Sequence, residues 1–242
     1  MRVGLAAFPC RNGDTAFNME SVGRAMRAAR GRADVVCFGE AFLQGFDSLS
    51  WDHAADLGIA VSRRSKEFAA LRRMTKEYVT AIVIGYIERD GEDIFSSCAV
   101  ISRGRVVSNY RRISKGWKEY SITGEHYREG DAARPFRLGG VDMTVALCGD
   151  MWDAPEAFRT DGLLIWPVYV CFTPEEWNSS ELGEYAKQAA LAADTALMIN
   201  PIDADNGCRG GAFVLRRGRV AAAIPFDEEQ ILIYDTDERR TG

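Results

Sequence analysis

The 242 residues carry a formal charge of −5, with 47% hydrophobic and 27% charged side chains. That is the ordinary balance of a globular chain large enough to bury one sizeable core. The acidic sign argues against a nucleic-acid footprint, which would be basic. No apolar run approaches the roughly 20 residues that a membrane span needs.

In chain order, "RVGLAAF" reads as a first core strand rather than a secretion signal, which makes the cytoplasm the expected compartment. "MESVGRAMRAARGRA" sets Met19, Val22, Met26 and Ala29 on one helical face, with Gly31 just past the end. "DVVCFGE" (34–40) is a second buried strand closing on Glu40, and 41–62 is mixed. Phe68, Leu71, Met74 and Tyr78 have the spacing of an amphipathic helix, and "AIVIGYI" (81–87) is a strand. "SCAVISRGRVVSNY" (97–110) reads as a hairpin turning at Arg103-Gly104, and 111–135 as a long polar loop of the kind that carries function. "TVALC" runs as a buried strand to Cys148, and Gly149-Asp150 ends it. Then come a short helix (153–159), a strand (162–168), a helix (179–194) and a strand (195–200). A second hairpin (212–224) and a last strand (230–235) follow. Strands alternating with helices, interrupted by two hairpins, predict sheets of mixed direction. The hairpins match around Arg-Gly-Arg, as two similar α/β halves would. No Pro-, Ser- or Gly-rich linker divides the chain, so residues 1–242 are expected to form one domain.

Six cysteines without CxxC spacing predict reduced thiols. With only His53 and His126 available, a zinc site is not expected, and no glycine-rich loop opens a helix to cradle a phosphate. No metal and no cofactor are therefore expected. In α/β proteins, strand ends open into the crevice where ligands bind. Cys148 lies at such a lip, where a nucleophile needs a base or a cation beside it. Glu40, emerging beside apolar walls, suits a general base. The Gly149 backbone N–H is a natural oxyanion donor. The cation could come from the loop "YRRISKGWKEY" (110–120), which offers Lys115 and Lys118. Trp152 is a candidate pocket wall.

"GEAF" (39–42), "YRRISKGWKE" (110–119), "EHYREGD" (125–131) and "VALCGDMWDAPEAFR" (145–159) resemble the carbon–nitrogen hydrolase (nitrilase) superfamily. "NGDTAFNMESV" near the start and "MINPID…RGGAFVLRRGRV" near the end extend the resemblance over nearly the whole chain. It implies a four-layer αββα sandwich with two mixed sheets and a Glu-Lys-Cys triad working through an acyl-thioester. Glu40 would be the base and Cys148 the nucleophile. The family usually shows Tyr-Arg-Lys where this chain has "YRR", so Arg112 stands in the lysine's place. Lys118, seven residues before Glu125, is the preferred triad cation, with Lys115 and Arg112 as alternatives. Glu125 is the preferred second glutamate, with Glu119 behind it. The implied activity is hydrolysis of a small-molecule amide or N-carbamoyl group, less readily a nitrile. The partners are the substrate and further copies of the chain in a homodimer or larger homo-oligomer, with no nucleic acid and no membrane. Arg112 also motivates a catalytically altered binding or assembly module, and acyl transfer to an amine acceptor is a third reading.

Overall fold

The computed structural model describes residues 1–237. Two six-stranded sheets lie face to face. The first runs in the order β14-β1-β2-β3-β4-β5, built from Gln230–Asp235, Arg2–Ala7, Val35–Cys37, Ala81–Asp90, Asp93–Ser102 and Arg105–Arg111. The second runs β13-β12-β9-β8-β7-β6, from Arg219–Ile224, Ala212–Arg216, Thr195–Ile199, Leu163–Pro167, Val141–Val145 and Phe136–Leu138. β10 (Ile202–Asp203) and β11 (Cys208–Arg209) form a small separate ladder.

Both sheets repeat one pattern of directions. An antiparallel pair (β14-β1 or β6-β7) is followed by two parallel pairs, then by two antiparallel ones. The two hairpins that match in sequence also match in structure. Arg103-Gly104 and Arg217-Gly218 all have positive φ, as tight two-residue hairpin turns require. Each hairpin shifts register at the same distance before its turn, at Val100/Ile101 and at Val214/Leu215. The internal likeness is thus a property of the fold.

Strand alternation assigns the layers. Val3, Leu5, Ala7, Val35, Cys37 and Val83 join Met143, Val145, Ile165, Leu197 and Val214 in the core between the sheets. Ala6, Val36, Ile82 and Ile84 point the other way, onto α1 (Thr15–Ala29) and α3 (Lys66–Glu77). Asp14 caps α1 and Ser65 caps α3. The outer face of the second sheet packs on α6 (Leu182–Ala189) through Trp166, Tyr185, Ala186 and Ala189. The layers are therefore α, β, β, α, as expected.

Three local expectations change. The predicted helix 153–159 is split into α4 (Asp150–Asp153) and a 3-10 turn (Pro155–Phe158), because Ala154 leaves helical geometry before Pro155. The helix predicted from 179 begins earlier, with a capping box at Thr173 and α5 (Pro174–Glu176), and passes through a π-helical turn (Trp177–Glu181) into α6. Not all cysteines are free thiols: Cys171 is joined to Cys208, while Cys10, Cys37, Cys98 and Cys148 are free. No described helix is long and apolar enough to cross a membrane.

Candidate active site

Three chain segments leave their strands at one edge of the sandwich. β2 ends at Cys37, β5 at Arg111 and β7 at Val145, and Glu40, Arg112 and Cys148 follow within three residues of those ends. β3 runs parallel to β2, and two antiparallel steps restore that direction in β5. The carboxylate and the guanidinium therefore emerge on the same side. The Glu40 N–H donates to Val168 O (3.2 Å) beyond the end of β8, tying this edge to the second sheet.

Glu40 is completely buried. Its approach depends on Gly85 in β3, where a Cβ would come within 2.7 Å of the Glu40 Cα and overlap the neighbouring backbone. Oε1 accepts from Ser96 Oγ (3.0 Å) and Arg112 Nη1 (2.9 Å), whereas Oε2 is buried without a hydrogen-bond partner. A buried carboxylate oxygen without a donor is costly in a packing role. It is ready-made for accepting a proton.

Arg112 is 3% exposed and held at two points, Nη1 on Glu40 and Nε on Ser114 Oγ (2.7 Å). Asp150 fixes the surrounding turn. It accepts from Tyr110 Oη (2.5 Å), Leu147 N (2.8 Å), Ser114 N (2.8 Å) and Ile113 N (3.2 Å), so one carboxylate bolts the end of β5 to the cysteine turn. Burial opposes the guanidinium charge, but Glu40, Cys148 and Asp150 outweigh it and hold the Arg112 pKa above its ordinary value.

Cys148 lies three residues past β7 in a left-handed conformation (φ 36°), an uncommon state for a residue with a side chain. Its N–H donates to Pro167 O (3.0 Å), and its carbonyl accepts from Trp166 Nε1 (3.0 Å). The partly buried thiol lies 3.8 Å from Tyr169 O. Burial and the Glu40 charge push it up to about 12, against the opposing pull of Arg112. It is therefore a neutral thiol at physiological pH and needs a base to become a nucleophile. Among the described residues the Gly149 N–H has no acceptor.

The other candidates fall as follows. Lys118, expected as the triad cation, donates to Tyr127 O and pairs with Glu129 (3.0 Å). The cation bonded to Glu40 is Arg112, whereas Lys118 is held on Tyr127 and Glu129. The polar loop folds back on itself at this point, which satisfies the ammonium locally. Lys115 is exposed near the Tyr120 ring. Glu125 is exposed on the same loop, and Glu119 turns to Ser121, so neither is bonded to Glu40, Arg112 or Cys148. Trp152 is 41% exposed and meets Tyr185 edge-on. His53 and His126 stack on each other (4.4 Å between centroids), His53 on Glu92 O and His126 on Asp93. No described group of three His, Cys, Asp or Glu side chains could hold a metal. Sequence reasoning missed Ser96, Ser114, Tyr110 and Asp150. Of these, only Asp150, two residues after the cysteine, carried a positional hint.

Comparison with known proteins agrees with this architecture. The carbon-nitrogen hydrolase family model matches residues 2–242. The glutamine-dependent NAD(+) synthetase of Thermotoga maritima is 26% identical over 162 residues, covering 64% of this chain and 27% of that protein. The match thus spans about a quarter of that relative's length. An (R)-stereoselective amidase of Pseudomonas sp is 24% identical over 253 residues, covering 100% of this chain and 88% of the amidase. A CN-hydrolase superfamily protein of Xanthomonas campestris, XC1258, superposes with a TM-score of 0.80 at 16% identity, covering 100% of this chain and 92% of that one. With its family model matched from end to end, the chain belongs to the carbon–nitrogen hydrolase family, whose members act on carbon–nitrogen bonds other than peptide bonds.

Proposed function

We propose that this chain hydrolyses a non-peptide amide or N-carbamoyl bond of a small molecule through an acyl-thioester on Cys148, with Glu40 as general base and Arg112 as the fixed cation. The observation that carries the reading is the buried Glu40 Oε2, which has no hydrogen-bond partner, on a carboxylate whose charge acts on the Cys148 thiol. Cys148 Sγ attacks the carbonyl carbon while its proton passes to Glu40. The C=O pair moves to oxygen, where the Gly149 N–H and the guanidinium stabilise the charge. The oxyanion collapses, the C–N bond breaks, and Glu40 returns the proton to the departing nitrogen. Water then attacks the thioester and gives one proton to Glu40. Collapse releases the carboxylic acid, and the proton returns to Cys148.

Arginine suits part of this role. It stays charged throughout and presents several donors, so it can hold Glu40 and face an oxyanion together. It cannot relay a proton, which leaves Glu40 as the proton carrier. Sequence similarity to an amidase over the whole chain supports amides ahead of nitriles. A binding or assembly module is the second reading, motivated by an arginine, clamped on Ser114 and Glu40, in the place of the family's lysine. The one-domain organisation, the homo-oligomer and the cytoplasmic site belong to the same proposal.

The test is ammonia release from a panel of small aliphatic, aromatic and N-carbamoyl amides. Turnover that vanishes in Cys148→Ala and falls at least about 100-fold in Glu40→Gln is expected. Wild-type turnover in Cys148→Ala would rule the mechanism out, and no turnover on any amide would favour the module.

A further inference from the structure

Gly149 adopts φ −63° and ψ −15°, an ordinary right-handed helical conformation that any residue tolerates. A glycine here serves no backbone need. What it provides is space. A Cβ on Gly149 would overlap Arg112 Nη2 and reach 3.4 Å from Ser114 Oγ. The end of an arginine can usually swing aside, but this one is clamped through Nε on Ser114 and Nη1 on Glu40, and the side chain is 3% exposed. Nη2 is the one guanidinium nitrogen without a protein acceptor among the described residues, and it lies over the residue that follows the nucleophile.

We propose that Arg112 and Gly149 form one functional unit, in which the missing side chain at 149 seats the guanidinium Nη2 beside Cys148 as the charged donor to the developing oxyanion. Gly149 is then a positioning residue as well as a backbone donor. Arg112 holds the base with Nη1 and meets the reacting oxygen with Nη2, two tasks on one planar fork. The inference rests on the hydrolase reading, and it explains why a bulkier cation is accompanied by the smallest residue next to the thiol.

A double-mutant cycle tests it, with Gly149→Ala made in the wild type and in Arg112→Lys. The added methyl group presses on the clamped guanidinium, so Gly149→Ala should lower the melting temperature more in the wild-type background than in Arg112→Lys, with both variants still folded. In the wild-type background kcat should fall about 100-fold or more with KM little changed, as expected for loss of one oxyanion donor. In Arg112→Lys the compact ammonium does not fill the space over residue 149, so Gly149→Ala should cost no more than about threefold. Equal losses in both backgrounds, or wild-type kcat in Gly149→Ala, would overturn the unit.

The rate of Cys148 alkylation by iodoacetamide against pH gives a second readout that needs no substrate. Gly149→Ala should move the midpoint upward in the arginine background and leave it unmoved in the lysine background. An unmoved midpoint in the arginine background overturns the proposal even if the protein cleaves no amide. A moved midpoint without turnover would instead uphold the pairing and refute the hydrolase reading.

Discussion

Glu40 and Arg112 are 72 residues apart in sequence and 2.9 Å apart in space, Oε1 to Nη1. Both are almost wholly removed from water. The pair commits one carboxylate oxygen to holding the cation and leaves the other, Oε2, buried without a hydrogen-bond partner. This division between structure and chemistry within one carboxylate organises the site.

Removing the charge of either partner should move the thiol in opposite directions. Glu40 raises the Cys148 pKa and Arg112 lowers it. In Glu40→Gln, alkylation of Cys148 by iodoacetamide should therefore reach its midpoint at lower pH than in the wild type. In Arg112→Gln it should shift to higher pH. Shifts of the same sign in both variants would contradict the arrangement.

The two candidate cations should differ sharply. Arg112→Met strands a buried carboxylate, which should cost about 3–5 kcal/mol of stability as well as most of the activity. Lys118→Ala removes a pair with Glu129 at a partly buried loop site, so kcat should fall less than about threefold. Denaturant melts and initial rates of both variants decide the matter. A larger activity loss in Lys118→Ala than in Arg112→Met would return the triad cation to Lys118.

Asp150 should be irreplaceable by its amide. Four donors converge on its two oxygens, from Tyr110, Leu147, Ser114 and Ile113. In Asp150→Asn the new side chain must turn its NH2 toward donors at one of these positions, leaving buried N–H or O–H groups unpaired at about 1–3 kcal/mol each. The substitution should thus lower the melting temperature and also slow alkylation of Cys148, because the same turn seats the nucleophile. An unchanged melt would contradict the role given to Asp150.

Alkaline pH should destabilise the fold. Burial pushes Cys10 and Cys148 up to about 12, and Cys37, Tyr169 and Tyr185 shift upward as well. Unfolded thiols release their protons near their ordinary value of about 8.5, so the folded state binds more protons above it. The contribution is complete below about pH 8.5 and is lost as the pH climbs toward about 12. Urea midpoints measured from about pH 7.5 to about pH 10.5 should fall, less steeply in Cys10→Ala, and a flat profile would contradict the burial assigned to these groups.

The sequence carried the layers and two of the three central side chains, and the reason is strand periodicity. Alternating apolar residues in "RVGLAAF" and "DVVCFGE" face two different packing surfaces, which only a covered sheet supplies. Glu40 and Cys148 were legible because each follows such a run. Arg112 was the last of three alternatives for the cation, and adjacent residues leaving a strand point to opposite sides. Arg111 forms a partly buried pair with Glu88 (2.9 Å) and stacks over Phe95, while its neighbour enters the site. The resemblance puts Arg112 in the lysine's place, but nothing in "YRR" itself says that a guanidinium there would bond Glu40. Lys118 looked suitable by spacing, but spacing in an irregular loop does not fix direction, and the chain turns back at Tyr127 to satisfy it. Ser96 was invisible because its partner is set by packing between distant segments, and Ser114 because its contact with Arg112 depends on the turn the loop takes after β5.

The central claim is that Cys148 captures the acyl group with Glu40 taking its proton. Intact-protein mass spectrometry, on samples quenched in acid within the first turnovers of a good amide substrate, tests it directly. The account predicts a mass increase equal to the acyl group, mapped to Cys148, absent in Cys148→Ala and formed far more slowly in Glu40→Gln. An acyl adduct on any other residue, or product formed by Cys148→Ala at the wild-type rate, would contradict it.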